Sequence, residues 1–222
     1  YNQRFRRKPG NYPIFADAFG AAHTAVPALD RPVLLMSEQG LGDTLQFVRY
    51  ALALQQQGVD VTVLSQPPLV ELLRNAVGLR QVVDCLDLEE QQQRNPVWLP
   101  LMNLAPLMGC IDDQIPFPGG YVSASADSIA VWRHLLQRKP QHRLIALHWQ
   151  GNPEHEHSLY SRGRSLPFHE WLGLQGNDQL EFVSIQKGKA SEQLRTDQGL
   201  HFVKGQEAVS KSMDFQETAA VI

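Results

Sequence analysis

Apolar positions along this chain fall into short unbroken runs separated by amphipathic stretches. Val33-Leu34-Leu35-Met36 is the first run, of the kind that is buried on both faces of a parallel sheet. From Thr44 to Gln57 the period changes: Leu45, Val48, Leu52 and Gln55 form one strip, widened by Phe47, Ala51 and Leu54, with Gln46, Arg49 and Gln56 outside it. That spacing predicts an amphipathic helix ended by Gly58. Val61-Thr62-Val63-Leu64 predicts a second strand, completing a βαβ unit with a right-handed crossover. Pro67-Pro68 opens a helix over Leu69 to Ala76, and short strands follow at Gln81-Val82-Val83 and Val97-Trp98-Leu99. Leu86 to Arg94 reads as a polar surface excursion, and Met102 to Met108 as a short helix.

Ile115 to Tyr121, with two prolines and two glycines, is the best candidate linker, and beyond it the pattern restarts. Ser128 to Arg138 is predicted helical and Leu144 to Trp149 a buried strand. A long polar loop reaches Ser165, and Pro167 to Leu174 is helical. Leu180 to Ile185 is a strand, Ser191 to Thr196 lies in a charged helix, and His201-Phe202-Val203 is a last short strand. Asp214 is the expected N-cap of a helix reaching Ile222. Strands alternating with helices on both sides of the linker predict an α/β protein of two Rossmann-like domains with a cleft between them. The expected divisions are 1–30, the end of a helical repeat and a linker; 31–118, an N-terminal domain; and 119–222, an incomplete C-terminal one. The chain starts at Tyr1 without a methionine, and its last helix leads toward a strand that the sequence does not contain, so a fragment of a longer protein is expected.

Composition narrows the function classes. The 222 residues are 43% hydrophobic and 19% charged, with a net charge of −3, so no overall basic character points to nucleic acid or an anionic membrane. The basic cluster Arg4, Arg6, Arg7 and Lys8 reads as a solvated terminal segment. Two cysteines, Cys85 and Cys110, make neither a disulfide framework nor a Cys-x-x-Cys site, and two buried free thiols are expected. With no apolar run of membrane-spanning length and no secretory signal pattern, a cytoplasmic protein is expected by default.

The candidate chemistry lies where predicted strands end. Glu38-Gln39-Gly40-Leu41-Gly42-Asp43 joins the first strand to its helix, where backbone amides converge at a positive dipole. Gly40 and Gly42 allow a tight turn and close approach of a ligand, and Asp43 stands at the helix start, as a simple N-cap or as a carboxylate open to a ligand. This is not a dinucleotide fingerprint: Leu45 replaces the third glycine, and Asp60 begins the second strand where an acidic residue near its end is required. The Gly-Lys-Ser/Thr ending of a phosphate-binding P-loop is missing as well.

His148-Trp149-Gln150-Gly151-Asn152-Pro153 is a second strand-end turn, continuing through His155 and His157 to Arg162 and Arg164. His148, His155 and His157 with Glu154 and Glu156 raise a metal-hydrolase reading, but the loop lacks a second ligand pair at zinc spacing, and no metal site is expected. Arg162 and Arg164 suit an anion such as a diphosphate better. Ser184-Ile185-Gln186-Lys187-Gly188-Lys189 is a third such turn, with a lysine able to reach a phosphate or a sugar.

Together these segments resemble a bacterial family of tetratricopeptide-repeat proteins that carry a glycosyltransferase-like module related to the heptosyltransferases. The resemblance rests on Tyr1 to Phe5, Ser37 to Tyr50, Leu99 to Met102, His148 to Pro153, Arg164 to Pro167, Ser184 to Gly188 and Asp214-Phe215. It implies a two-domain GT-B fold, an acceptor on the N-terminal domain and a nucleotide-sugar donor, a substrate rather than a bound cofactor, on the C-terminal one. Asp43 matches the family's base, Arg164 and Lys187 match basic positions near the donor phosphates, and Gly40, Gly42, Gln46, Trp149 and Asn152 fall in the matching motifs as substrate-binding positions. The implied reaction is an inverting, metal-independent sugar transfer to a sugar or protein acceptor, with protein partners engaged through upstream repeats. The family's Asp-Thr-x-x-x-His-type donor segment would lie past Ile222, so this chain alone is expected to be weak or inactive. The alternative is a non-catalytic interaction or ligand-sensing module.

Overall fold

The computed structural model describes residues 18–20, 22, 31–38, 40–109, 114–151, 165–195 and 199–222. The chain divides into two compact units, the first reaching Ser123 and the second running from Ala124 to Ile222.

In the first unit, β1 (Val33–Met36) is followed by α1 (Leu41–Gln56) and β2 (Val61–Leu64). A 3-10 turn at Pro67–Leu69 leads into α2 (Val70–Asn75) and then β3 (Gln81–Val83). Next come α3 (Leu88–Arg94), β4 (Val97–Pro100), a 3-10 turn at Leu101–Asn103 and α4 (Leu104–Leu107). All four strands are parallel in the order β3-β2-β1-β4, and helices flank the sheet. Val33 is aligned with both Val61 and Val97, so β1 is central and its four residues are all buried. Gly58 ends α1 as expected: at φ +91° it takes the left-handed conformation that lets the chain leave the helix without a Cβ clash, and its N–H donates to the Gln55 carbonyl.

The chain order reverses between β1 and β4. In open parallel sheets such a switch point leaves a crevice outside the carboxyl ends of the two strands, because the connections leave in opposite directions. Here those ends carry residues 37–38 and 40–42 and the Pro100-Leu101 turn, and α1 packs against that turn and against α4. At the other end of the sheet, Asp60 is ion-paired with Arg94 at 2.6 Å and accepts a hydrogen bond from Gln81 Nε2. Asp60 therefore ties β2 and β3 to α3 and stands away from the strand-end loops.

One expectation is sharpened and one corrected. The polar surface stretch 86–94 holds the helix α3: Asp87 accepts from the Glu90 N–H at 3.1 Å, Glu89 and Glu90 occupy the first turn, and Asn95 closes α3 in a left-handed conformation. These capping signals outweigh a weak apolar pattern. Cys85 is exposed rather than buried, because it lies in the bend beyond β3.

The second unit starts with α5 (Ala126–Leu136), capped by the Ser125 hydroxyl, and β5 (Arg143–Leu147). A 3-10 segment at Phe168–Leu174, β6 (Leu180–Ser184) and a further 3-10 segment at Gly188–Arg195 follow. The unit closes with α6 (Gln206–Lys211) and α7 (Phe215–Val221), whose N-cap is Asp214. β5 and β6 are parallel, with Leu147 aligned to Ser184. The strand expected at 201–203 is reduced to a parallel bridge between Phe202 and Phe182. Alternation along β6 divides the core: Val183 joins Trp132, Leu136, Val203 and Val209 on one face, and Phe182 joins Leu147, Trp149, Phe168 and Leu200 on the other. Among the described residues no helix is long and apolar enough to cross a membrane.

Candidate functional site

The first cluster sits at the switch point of the first unit. Helix α1 begins three residues earlier than the sequence pattern suggests. Gly40 is its N-cap, Leu41 and Gly42 lie within the first turn, and Asp43 is the third helical residue. Asp43 is therefore not the N-cap. Its Oδ2 reaches back to accept the Gly40 N–H at 3.1 Å, the carboxylate half of a capping box, and this bond extends the helix to Leu41. The negative charge also answers the positive end of the helix dipole, so this amide cluster is already matched to an anion of its own chain. Oδ2 makes the only side-chain hydrogen bond that Asp43 forms among the described residues, which leaves Oδ1 for a ligand.

The neighbouring positions fix that turn. Thr44 is buried and donates its hydroxyl proton to Gln66 Oε1 at 3.0 Å, joining the start of α1 to the end of β2. Gly40, Gly42 and Gln46 are exposed around Asp43. The other flank of α1 is held by Tyr121, whose hydroxyl donates to the Leu45 carbonyl and whose ring lies 4.4 Å from the Arg49 guanidinium carbon.

The second cluster lies at the carboxyl ends of β5 and β6. His148, Gln150 and Gly151 from one turn, with Lys187, Gly188 and Lys189 from the other, line a groove of about 460 Å³. Gly188 makes its turn possible with φ +70°. Lys187 Nζ donates to the Val209 carbonyl in α6, and the burial of that ammonium pushes its pKa below the usual lysine value. Lys189 is exposed on the rim of the groove.

Trp149 does not line this groove. Its indole is buried to 3% exposure and packs 4.8 Å from the Phe168 ring, centroid to centroid, within the core. The alternation of β5 continues past the strand and turns residue 149 inward. Asn152, Arg164, His155 and His157 lie outside the described residues, as do Gln39 and Tyr1 to Phe5. Among the described residues no group of three or more His, Cys, Asp or Glu side chains could hold a metal ion.

Three contributors went unassigned in the sequence reading: Gln66, which fixes the start of α1; Lys189, on the groove rim; and Gln186, which joins the two turns of the second unit. Lys189 was visible as a lysine next to a strand-end glycine. The glutamines carry no pattern signal, because the partners that fix their roles lie 22 residues away for Gln66 and 36 to 37 away, across the other turn, for Gln186. No family model, curated protein or solved structure matches this chain.

Proposed function

We propose that this chain is a glycosyltransferase-like module of GT-B type that transfers a sugar from a nucleotide-sugar to an acceptor hydroxyl with inversion and without a metal. The observation that carries this reading is Asp43 at the switch point of the first sheet, one carboxylate oxygen fixed by the Gly40 N–H and the other left for a ligand. In the proposed step the open oxygen takes the acceptor hydroxyl proton as the acceptor oxygen bonds to the anomeric carbon. The bond from that carbon to the diphosphate breaks, and the diphosphate leaves with the electron pair. The strand-end groove of the second unit suits the diphosphate: it offers exposed Lys189 and turn backbone, which stabilise charge as it develops. Arg164 belongs to this proposal by resemblance alone. The two-domain arrangement of the fold, cytoplasmic residence and partner binding through upstream repeats are parts of the same proposal.

A second reading, a ligand-sensing module without turnover, is favoured by one observation. One of the three N–H donors of the Lys187 ammonium is already engaged by the Val209 carbonyl, which ties the group toward α6 and weakens its hold on a leaving group.

The test is release of nucleoside diphosphate from uridine-, adenosine-, guanosine- and cytidine-diphosphate sugars by a version of the chain extended past Ile222, compared with the same version carrying Asp43→Asn. Asparagine keeps a cap acceptor and removes the base. A fall of about 100-fold or more in turnover is expected. Equal turnover by Asp43→Asn would falsify the base assignment, and calorimetric binding with no turnover by either protein establishes the sensing module instead.

A further inference from the structure

The β5–β6 ladder ends where the Ile185 N–H donates to the Leu147 carbonyl at 3.0 Å. Past that bond the two chains separate to form the groove, and their main-chain polar groups lose their ladder partners. One side chain occupies the divergence. Gln186 is 3% exposed; its Oε1 accepts from the N–H groups of Trp149 at 3.1 Å and Gln150 at 2.9 Å. Its Nε2 donates to the carbonyls of Gln150 and Lys187, both at 3.0 Å. Two accepted and two donated bonds are the full capacity of a primary amide. The Gln186 N–H is itself fixed by Ser184 Oγ at 3.2 Å.

We infer that Gln186 is the positioning residue of this groove, acting through the two turns it joins to hold an anion-binding backbone in a preformed shape. The inference rests on the proposed reading of the groove as a diphosphate site. The physical reason is satisfaction of buried groups. Without the amide, the Trp149 and Gln150 N–H groups and the Lys187 carbonyl would need other partners, and the turns would open toward water to find them. His148 and Gly151 would then move independently of Gly188 and Lys189, and a ligand touching both turns would have to order them on binding. Gln206 provides the contrast. It splints β6 in the same way, accepting from the Ser184 N–H at 2.7 Å and donating to the Ser184 carbonyl at 3.0 Å, but it does not line the groove.

The experiment compares the chain with Gln186→Met and Gln206→Met, using uridine diphosphate, adenosine diphosphate and inorganic pyrophosphate as calorimetric probes. Amide exchange at Trp149 and Gln150 is read without ligand. Gln186→Met is expected to weaken probe binding at least about tenfold and to release both amides. Gln206→Met is expected to lower the melting temperature while keeping probe affinity within about twofold. Should Gln186→Met fail to fold, Gln186→Glu keeps the two accepted bonds and loses both donated ones, so it should protect the amides of 149 and 150 and still bind probe more weakly. Wild-type affinity with protected amides in Gln186→Met overturns the inference, and so does an equal loss of affinity in Gln206→Met. If the unaltered chain binds none of the three probes, the diphosphate reading falls, and the exchange data alone decide whether Gln186 orders the turns.

Discussion

In the first unit β1 has parallel neighbours on both sides, and all four of its residues are buried. In the second, β5 pairs with β6 alone among the described residues, and Arg143 and Ala146 remain exposed while Leu144 and Ile145 are half-buried. Both strands start a parallel succession that runs outward through the next strand, so the difference lies on their other edge, where β4 covers β1. Beside β5, Leu144 instead lines a recess of about 390 Å³ with Ile129, Leu136 and Val221, rimmed by Arg133 and Arg138. Two first strands of parallel sheets thus carry different shares of the stability of their units. A residue's contribution follows the area it buries and not its own hydrophobicity.

The contrast is sharpest in the core. Leu35, fully buried, should cost about 3 kcal/mol on replacement by alanine, from lost transfer free energy and the cavity left behind. Leu144→Ala should cost about 1 kcal/mol, because the leucine keeps part of its water contact when folded. Urea unfolding followed by amide exchange in β1 and β5 reads each loss in its own unit, and equal losses would erase the distinction between the strands.

Helix starts supply a smaller effect. Asp43 holds the Gly40 N–H at the start of α1, and Ser125 Oγ accepts the Ser128 N–H at the start of α5. Asp43→Ala and Ser125→Ala should each cost about 1 kcal/mol in chemical denaturation. Only the first should affect nucleotide-sugar turnover, so a loss of turnover in Ser125→Ala would mean that helix fraying, and not chemistry, explains the Asp43 variants.

The smallest effect is expected from Lys187. Burial lowers its pKa in the folded chain below the usual lysine value of 10.5. Between the two values the unfolded chain binds more protons, so this group adds stability as pH rises through that window, and its buried charge is unfavourable below it. Lys187→Met should therefore melt highest relative to the unaltered chain near neutral pH, with the margin shrinking as pH approaches 10.5. A margin that does not vary with pH would show that the ammonium pays no desolvation cost.

Much of this architecture was legible in the chain. Strands form at 33–36, 61–64, 81–83 and 180–184 where the apolar and β-branched residues concentrate, and 33–36, unbroken in its apolar character, is covered on both faces. Gly58 and Asp214 mark helix ends by properties that belong to single residues, a tolerated positive φ and a short acceptor side chain. The start of α1 was misplaced because the residue that decides it, Asp43, acts backward on Gly40, which makes a glycine look like a loop position when it is a cap.

Periodicity, turn residues and capping chemistry are local, and they determined the elements, their order and the strand-end turns that carry Asp43 and Lys187. Tertiary structure alone decided that β4 lies beside β1 to create the switch point, that Trp149 packs into the core, that Lys187 binds the Val209 carbonyl, and that Gln186 closes the gap between two turns. Each depends on a partner far away in sequence. An amide or ammonium group gives no periodic sign of which distant backbone group it will satisfy once the sheet has brought the two together.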